Sequence, residues 1–200
     1  MIKTAYANLH FVIDTLTPGR TYGFKVQARN KFGLSELSEE FSILCATVPA
    51  MPNEPETSTI GSQLTISWEA PFDSGSPLTG YKVFILASSG NFIEESVYCE
   101  NNAERLVSRE CTMPTSLLVQ EPYLLALGDS VFAKVLATNF YGEGEQSNSG
   151  NGATCVLEPT KPINLQNNGL ETSESQIGFS WEPGVSTGGR PILDWTIYYD

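Results

Sequence analysis

The sequence predicts an all-β chain built of two-layered sandwiches. Three observations carry that prediction: strand-length segments in which apolar and polar residues alternate, a composition rich in turn formers, and a long internal repeat. Alternation places side chains on opposite faces of an extended strand. Gly 17 and Pro 12, with many Ser, Thr and Asn, supply the tight connections that many short strands require. The repeat has the period of a whole β-sandwich module and is far longer than a helical solenoid unit.

Taken along the chain, Tyr22, Phe24, Val26 and Ala28 share one face of a predicted strand, with Lys25, Gln27 and Arg29 on the other. Leu64, Ile66 and Trp68 alternate with Thr65, Ser67 and Glu69. Tyr81, Val83 and Ile85 alternate with Lys82, Phe84 and Leu86, which gives that strand a second apolar face. His10, Phe11 and Ile13 read as a further strand, and Pro191 to Tyr199 as another. No segment of comparable length has a helical period.

The repeat appears twice. Gly19–Gly33 matches Gly128–Gly142, pairing Lys25 with Lys134, Asn30 with Asn139 and Gly33 with Gly142 at one constant offset. Leu64–Pro71 matches Ile177–Pro183, pairing Trp68 with Trp181 at nearly the same offset. Prolines 49, 52 and 55 form one junction, and 159 and 162 another; lacking an N–H, they end strand pairing and stiffen the link. Between the two junctions lies one whole module, at about 49–157.

These residues resemble the fibronectin type III family, an immunoglobulin-like β-sandwich. Leu16–Tyr22 resembles its tyrosine-corner segment, and Tyr22–Asn30 with Gly33 its F strand and F–G turn. Trp68 and Trp181 resemble the strand B tryptophan, and Tyr81 and Trp195 the aromatic that opens strand C. The resemblance therefore implies the C-terminal half (strands E to G) of one module at 1–48 and the N-terminal half (strands A to C) of a third at 158–200, each with too little to bury to offset ordering its backbone at about 1–2 kcal/mol per residue. The 49–157 repeat departs from the pattern, because Val131 stands where the corner tyrosine should be; Tyr123, in a leucine-rich stretch from Thr112 to Leu127, is a candidate to fill the space.

Cys99 and Cys111 flank a polar stretch, Glu100–Glu110, that reads as a hairpin connection. A disulfide there would imply an oxidising compartment; the alternative is two free thiols on neighbouring strands. Cys45 and Cys155 hold matching places in the repeat, just before the two junctions, and read as buried free thiols.

The charge excludes one partner class. Eleven Lys plus Arg against twenty-three Asp plus Glu, net −12, cannot supply the cation cluster that nucleic acid demands. The same charge opposes an anionic membrane surface, and no stretch approaches the ~20 apolar residues of a membrane-spanning helix. It reads as solubility, with divalent-cation binding at acidic loops as the alternative.

Catalytic chemistry has little to work with. His10 is the single histidine and has no nucleophile or orienting partner near it in sequence. Glu94, Glu95 and Glu100 read as solvated carboxylates, and the glycines from Gly142 to Gly152 as turns rather than a phosphate loop. Neither an Arg-Gly-Asp tripeptide nor an Asn-x-Ser/Thr acceptor occurs. The expected chain is non-catalytic, with no cofactor and no metal. Its expected partners are other protein domains, including neighbouring repeats of its own chain, without nucleic acid or membrane insertion. Candidate binding loops are Asp73–Ser76 (B–C) and Tyr141–Gly144 (F–G). The expected role is a spacer and adhesion surface outside the cell, with an intracellular scaffold array or an enzyme's accessory module as alternatives.

Overall fold

The computed structural model describes residues 8–200. The first seven residues of the segment expected at 1–48 lie outside the described residues.

The centre of the chain is a two-sheet sandwich. One sheet has three antiparallel strands, β5 (Glu56–Ile60), β6 (Gln63–Ser67) and β9 (Glu110–Pro114), in the order β5-β6-β9. The other is built from β7 (Leu78–Leu86), β8 (Phe92–Glu94), β10 (Ala133–Asn139) and β11 (Gly142–Glu143), in the order β11-β10-β7-β8. The register aligns Val83 with Val135 and Tyr81 with Ala137, so the inward residues of β7 and β10 form continuous rows. On the facing sheet Leu64 and Ile66 stand opposite Met113 and Cys111.

The interior is what alternation requires. Leu64, Ile66, Val83, Ile85, Met113, Val131 and Val135 are buried in one cluster with Trp68, Tyr81 and Tyr123. Trp68, just past the end of β6, meets the edge of Tyr81 at 5.3 Å between ring centres. The second apolar face of β7 is paired with charge. Phe84 stands opposite Lys134 and Glu94, and Lys134 Nζ lies 4.6 Å from the Phe92 ring.

Flanking segments show the same plan in part. Before the sandwich, β1 (Thr21–Phe24) pairs with β4 (Phe41–Leu44), and β2 (Arg29–Asn30) with β3 (Gly33–Leu34). The Thr17 N–H donates to Tyr22 Oη at 2.8 Å, which is the tyrosine corner. After it, β12 (Ile163–Asn167) pairs with β13 (Phe179–Glu182). Trp181 meets Trp195 edge-on at 5.8 Å, repeating the Trp68–Tyr81 contact. Both segments leave apolar faces open: Val26 and Phe41 in one, Leu165 and Tyr199 in the other, are largely exposed.

Five expectations are corrected. The stretch at His10–Ile13 and the stretch from Pro191 to Tyr199 form no strand, because neither has a neighbouring strand to complete its ladder. Expected strand Tyr22–Ala28 breaks after Phe24, and a serine carries the pairing onward. The Ser38 N–H donates to the Val26 carbonyl and its Oγ accepts from the Val26 N–H, both at 2.9 Å. Ser147 does the same for Val135 in the central sandwich, at 2.8 and 3.0 Å. Glu100–Glu110 is not a hairpin: it holds a short helix, α1 (Ala103–Ser108), whose first turn is capped by Asn102 Oδ1 accepting from the Arg105 N–H. Lastly, Glu95 is buried rather than solvated.

Candidate functional site

Two features have geometry beyond that of a plain sandwich: the disulfide-closed insert, and the joints at its two ends.

Cys99 and Cys111 form a disulfide with 5.1 Å between Cα atoms. The insert it closes is also held by polar contacts. Arg105 donates to the Glu110 and Tyr98 carbonyls, and the Trp68 N–H donates to the Arg109 carbonyl at 3.0 Å. Asn101 lies directly on Gly80 of β7, where any side chain would collide with it. Arg109 takes a left-handed conformation (φ 55°) that ends α1 and returns the chain to β9.

Beside the insert lies a buried carboxylate. Glu95 Oε1 accepts from the Val97 and Tyr98 N–H groups, while Oε2 accepts from Tyr123 Oη. Burial, then the Glu95 carboxylate, push the Tyr123 phenol far above its ordinary value. Tyr123 is thus a core residue, but its hydroxyl ties the crossover before β10 to the chain after β8 instead of to its own turn. Val131, at the corner position, is fully buried and needs no such tie.

Both expected binding loops face the first joint. Ser74 and Ser76 are buried; Asp73 Oδ1 accepts from the Gly75 N–H, and Ser74 sits at φ 55°. Gly75 (φ 89°) closes on the preceding segment, so that a Cβ there would lie 2.8 Å from the Cys45 carbonyl and 2.9 Å from Gly19. The Thr47 N–H donates to the Ser74 carbonyl at 3.2 Å and the Ala50 N–H to the Phe72 carbonyl at 3.0 Å. Asn139 bolts the joint: its Nδ2 donates to the carbonyls of Thr47 (2.7 Å), Asp73 (3.1 Å) and Ser76 (3.5 Å). In the F–G loop, Gly142 faces Val48, and Gly144 abuts the Pro49 carbonyl so closely that a Cβ would lie 2.6 Å from it. Glu143 turns outward to Lys82 at 2.8 Å. Tyr141 is exposed, its ring edge-on to Phe140.

The second joint repeats the first. Gly128 N–H donates to the Cys155 carbonyl at 2.9 Å as Gly19 N–H donates to Cys45 at 2.7 Å. Leu157 donates to Gly188 at 2.8 Å and Thr160 to Ser186 at 2.9 Å, in the places of Thr47 and Ala50. Gly189 stands where Gly75 does, with a Cβ position 3.4 Å from the Cys155 carbonyl and 3.3 Å from the Gly128 nitrogen. Arg190 adds a hydrogen bond to Thr154 Oγ1 at 3.2 Å.

Both unpaired cysteines lie at these joints as free thiols, Cys155 buried and Cys45 half-buried; burial raises the Cys155 pKa. His10 is exposed. Among the described residues no group of three or more His, Cys, Asp or Glu is placed to hold a metal ion, and no helix is long and apolar enough to cross a membrane. Trp68, Tyr81, Trp181 and Trp195 stand at the aromatic contacts described above, and Tyr22 at the hydrogen bond from the Thr17 N–H. Reading the sequence alone gave Asn139 only as a repeat match, Glu95 as a solvated carboxylate and Gly75 as part of a binding loop, and overlooked that Gly75 meets Gly19, and Gly189 meets Gly128, across the joints. The matching places of Gly19 and Gly128 in the repeat were the available signal.

No protein-family model matches the chain. It is 35% identical over 199 residues to M-protein of striated muscle from Gallus gallus, covering 94% of this chain and 13% of that protein. It is 33% identical over 73 residues to human fibronectin type-III domain-containing protein 3A (36% of this chain, 6% of that one). Human netrin receptor DCC is 26% identical over 189 residues, 92% of this chain and 12% of the receptor. The chain thus spans about an eighth or less of the length of these relatives.

Proposed function

From the premise that this chain belongs to the fibronectin type III domain family, we propose that it is a non-catalytic array of such modules that holds other domains at set positions outside the cell. One whole module occupies about 49–157, flanked by parts of two others at 1–48 and 158–200. The observation that carries this reading is the pair of joints. Of the loops that could face a ligand, Asp73–Ser76 and the glycines Gly142 and Gly144 face the preceding segment instead. The chain's chemistry is spent on fixing neighbours, which is the work of a spacer. Tyr141, exposed at the F–G tip beside Phe140, remains available to a protein partner.

The Cys99–Cys111 bond supports the extracellular placement, since such bonds persist in oxidising compartments. A second reading, an intracellular scaffold array, is favoured by the likeness to a striated-muscle protein over 94% of the chain. Alkylating thiols at lysis and mapping the native protein's peptides without reduction separates the two. A linked Cys99–Cys111 peptide pair supports the extracellular array. Alkylated Cys99 and Cys111 would overturn that placement in favour of the scaffold.

A further inference from the structure

The two joints share one set of backbone contacts although their side chains differ. The loops that enter them read Phe72-Asp73-Ser74-Gly75-Ser76 and Ser186-Thr187-Gly188-Gly189-Arg190. The links before them read Thr47-Val48-Pro49-Ala50 and Leu157-Glu158-Pro159-Thr160. Yet each joint has the same two cross-joint hydrogen bonds, and the same glycine closed against a glycine corner and a cysteine carbonyl. Apart from the link proline and the cysteine before it, what the joints have in common is main chain and absent side chains.

We infer that the end face formed by Gly19 with the Cys45 carbonyl, and again by Gly128 with the Cys155 carbonyl, is a docking surface for the B–C loop of the following module, holding it in one orientation. The inference rests on reading the chain as a module array, and is indifferent to its compartment. Two interpretations of the repeated geometry compete. Both links have the same length, so a short tether alone could impose one pose. However, the glycine corners at Gly19 and Gly128 lie far from the links in sequence, and each is closed within its own segment by a hydrogen bond to the cysteine carbonyl. The entering loop meets that closed surface directly, at distances a single methyl group would obstruct at Gly75 and would crowd at Gly189. A tether sets proximity; it does not remove side chains from both the corner and the entering loop at each joint. The face is also selective: a Cβ at Gly75 would collide with the Cys45 carbonyl at 2.8 Å, one at Gly189 would be crowded by Leu127 Cβ at 3.2 Å and the Gly128 nitrogen at 3.3 Å, and both positions have φ near +90°.

Amide hydrogen exchange on the full chain tests this. The Thr47 and Leu157 N–H groups reach across the joints from the preceding side, so their exchange reports docking, while the Val83 and Val135 amides report the sandwich core. In the unaltered chain Thr47 and Leu157 should exchange on the order of 100-fold or more slowly than in an unstructured peptide. Inserting Gly-Ser-Gly-Ser between Val48 and Pro49 lengthens the tether but leaves both faces intact. At the millimolar effective concentration of a short flexible link, Thr47 protection should fall by no more than about tenfold. Gly75→Val should abolish Thr47 protection while leaving that of Leu157 and the core unchanged. Free exchange at Thr47 in the insertion variant, with the core still protected, would overturn docking in favour of a tether. Core amides unprotected in the unaltered chain would instead sink the array reading itself.

Discussion

Reducing the Cys99–Cys111 bond should lower the stability of the central sandwich by about 3 kcal/mol, and should do so through the unfolded chain. The bond joins residues 12 apart. In the chain-entropy treatment a loop of that size restricts the unfolded ensemble by about 3 kcal/mol at room temperature. The folded side should change little, because the insert has its own fastenings. Asn102 caps α1, Arg105 holds Tyr98 and Glu110, and Arg109 receives the Trp68 amide. Cys45 and Cys155 are free thiols, so a reductant acts on this bond alone. The assay is urea denaturation with and without reductant, followed by exchange of the core amides of Val83 and Val135. With an m-value of roughly 2 kcal/mol per M, the midpoint should fall by about 1.5 M, and m should rise slightly as the unfolded chain expands. A midpoint that moves by less than about 0.3 M would refute the reasoning, since the loop would then be ordered in the unfolded chain or strained in the folded one.

Three further outcomes are expected. Tyr123→Phe leaves Glu95 Oε2 buried without its donor and should cost about 1.5–3 kcal/mol in the same denaturation assay, since the lost bond involves a charged group. Stability should also decline on the alkaline side. Burial raises the phenols of Tyr123 and Tyr81, so what they contribute is complete below pH 10, the ordinary phenol value, and is lost as pH climbs from there through their higher folded values. Tyr22, lowered by the Thr17 amide, acts with the opposite sign. Denaturation midpoints from pH 8 to 12 should fall less steeply in Tyr123→Phe than in the parent. Asn139→Ala removes the donor shared by the Thr47, Asp73 and Ser76 carbonyls; a loss of about 1–3 kcal/mol is expected by thermal or urea unfolding, with Thr47 exchange accelerated and Leu157 exchange unchanged.

What could be read from residues alone was whatever side-chain type and spacing encode. Alternation at Leu64–Trp68 and Tyr81–Ile85 determined which faces are buried, because a strand has a period of two and water rejects the apolar side. The resemblance that matches Trp68 with Trp181, and Tyr81 with Trp195, marked the residues that make the same aromatic contact twice. Tertiary structure decided the rest. His10–Ile13 and Pro191–Tyr199 have strand-like sequences, yet a strand exists only where a neighbour satisfies its N–H and C=O groups. The polar stretch between Cys99 and Cys111 became a helix, since a cap at Asn102 and a left-handed exit at Arg109 satisfied its backbone locally. Glu95 reads as one more surface carboxylate until the fold brings Tyr123 across 28 residues to meet it. The joints were the least legible feature. Their acceptors are the carbonyls of Cys45, Ser74, Cys155 and Gly188, and a main-chain carbonyl is the same group in every residue, so which one receives a hydrogen bond depends on where the chain has been brought in space.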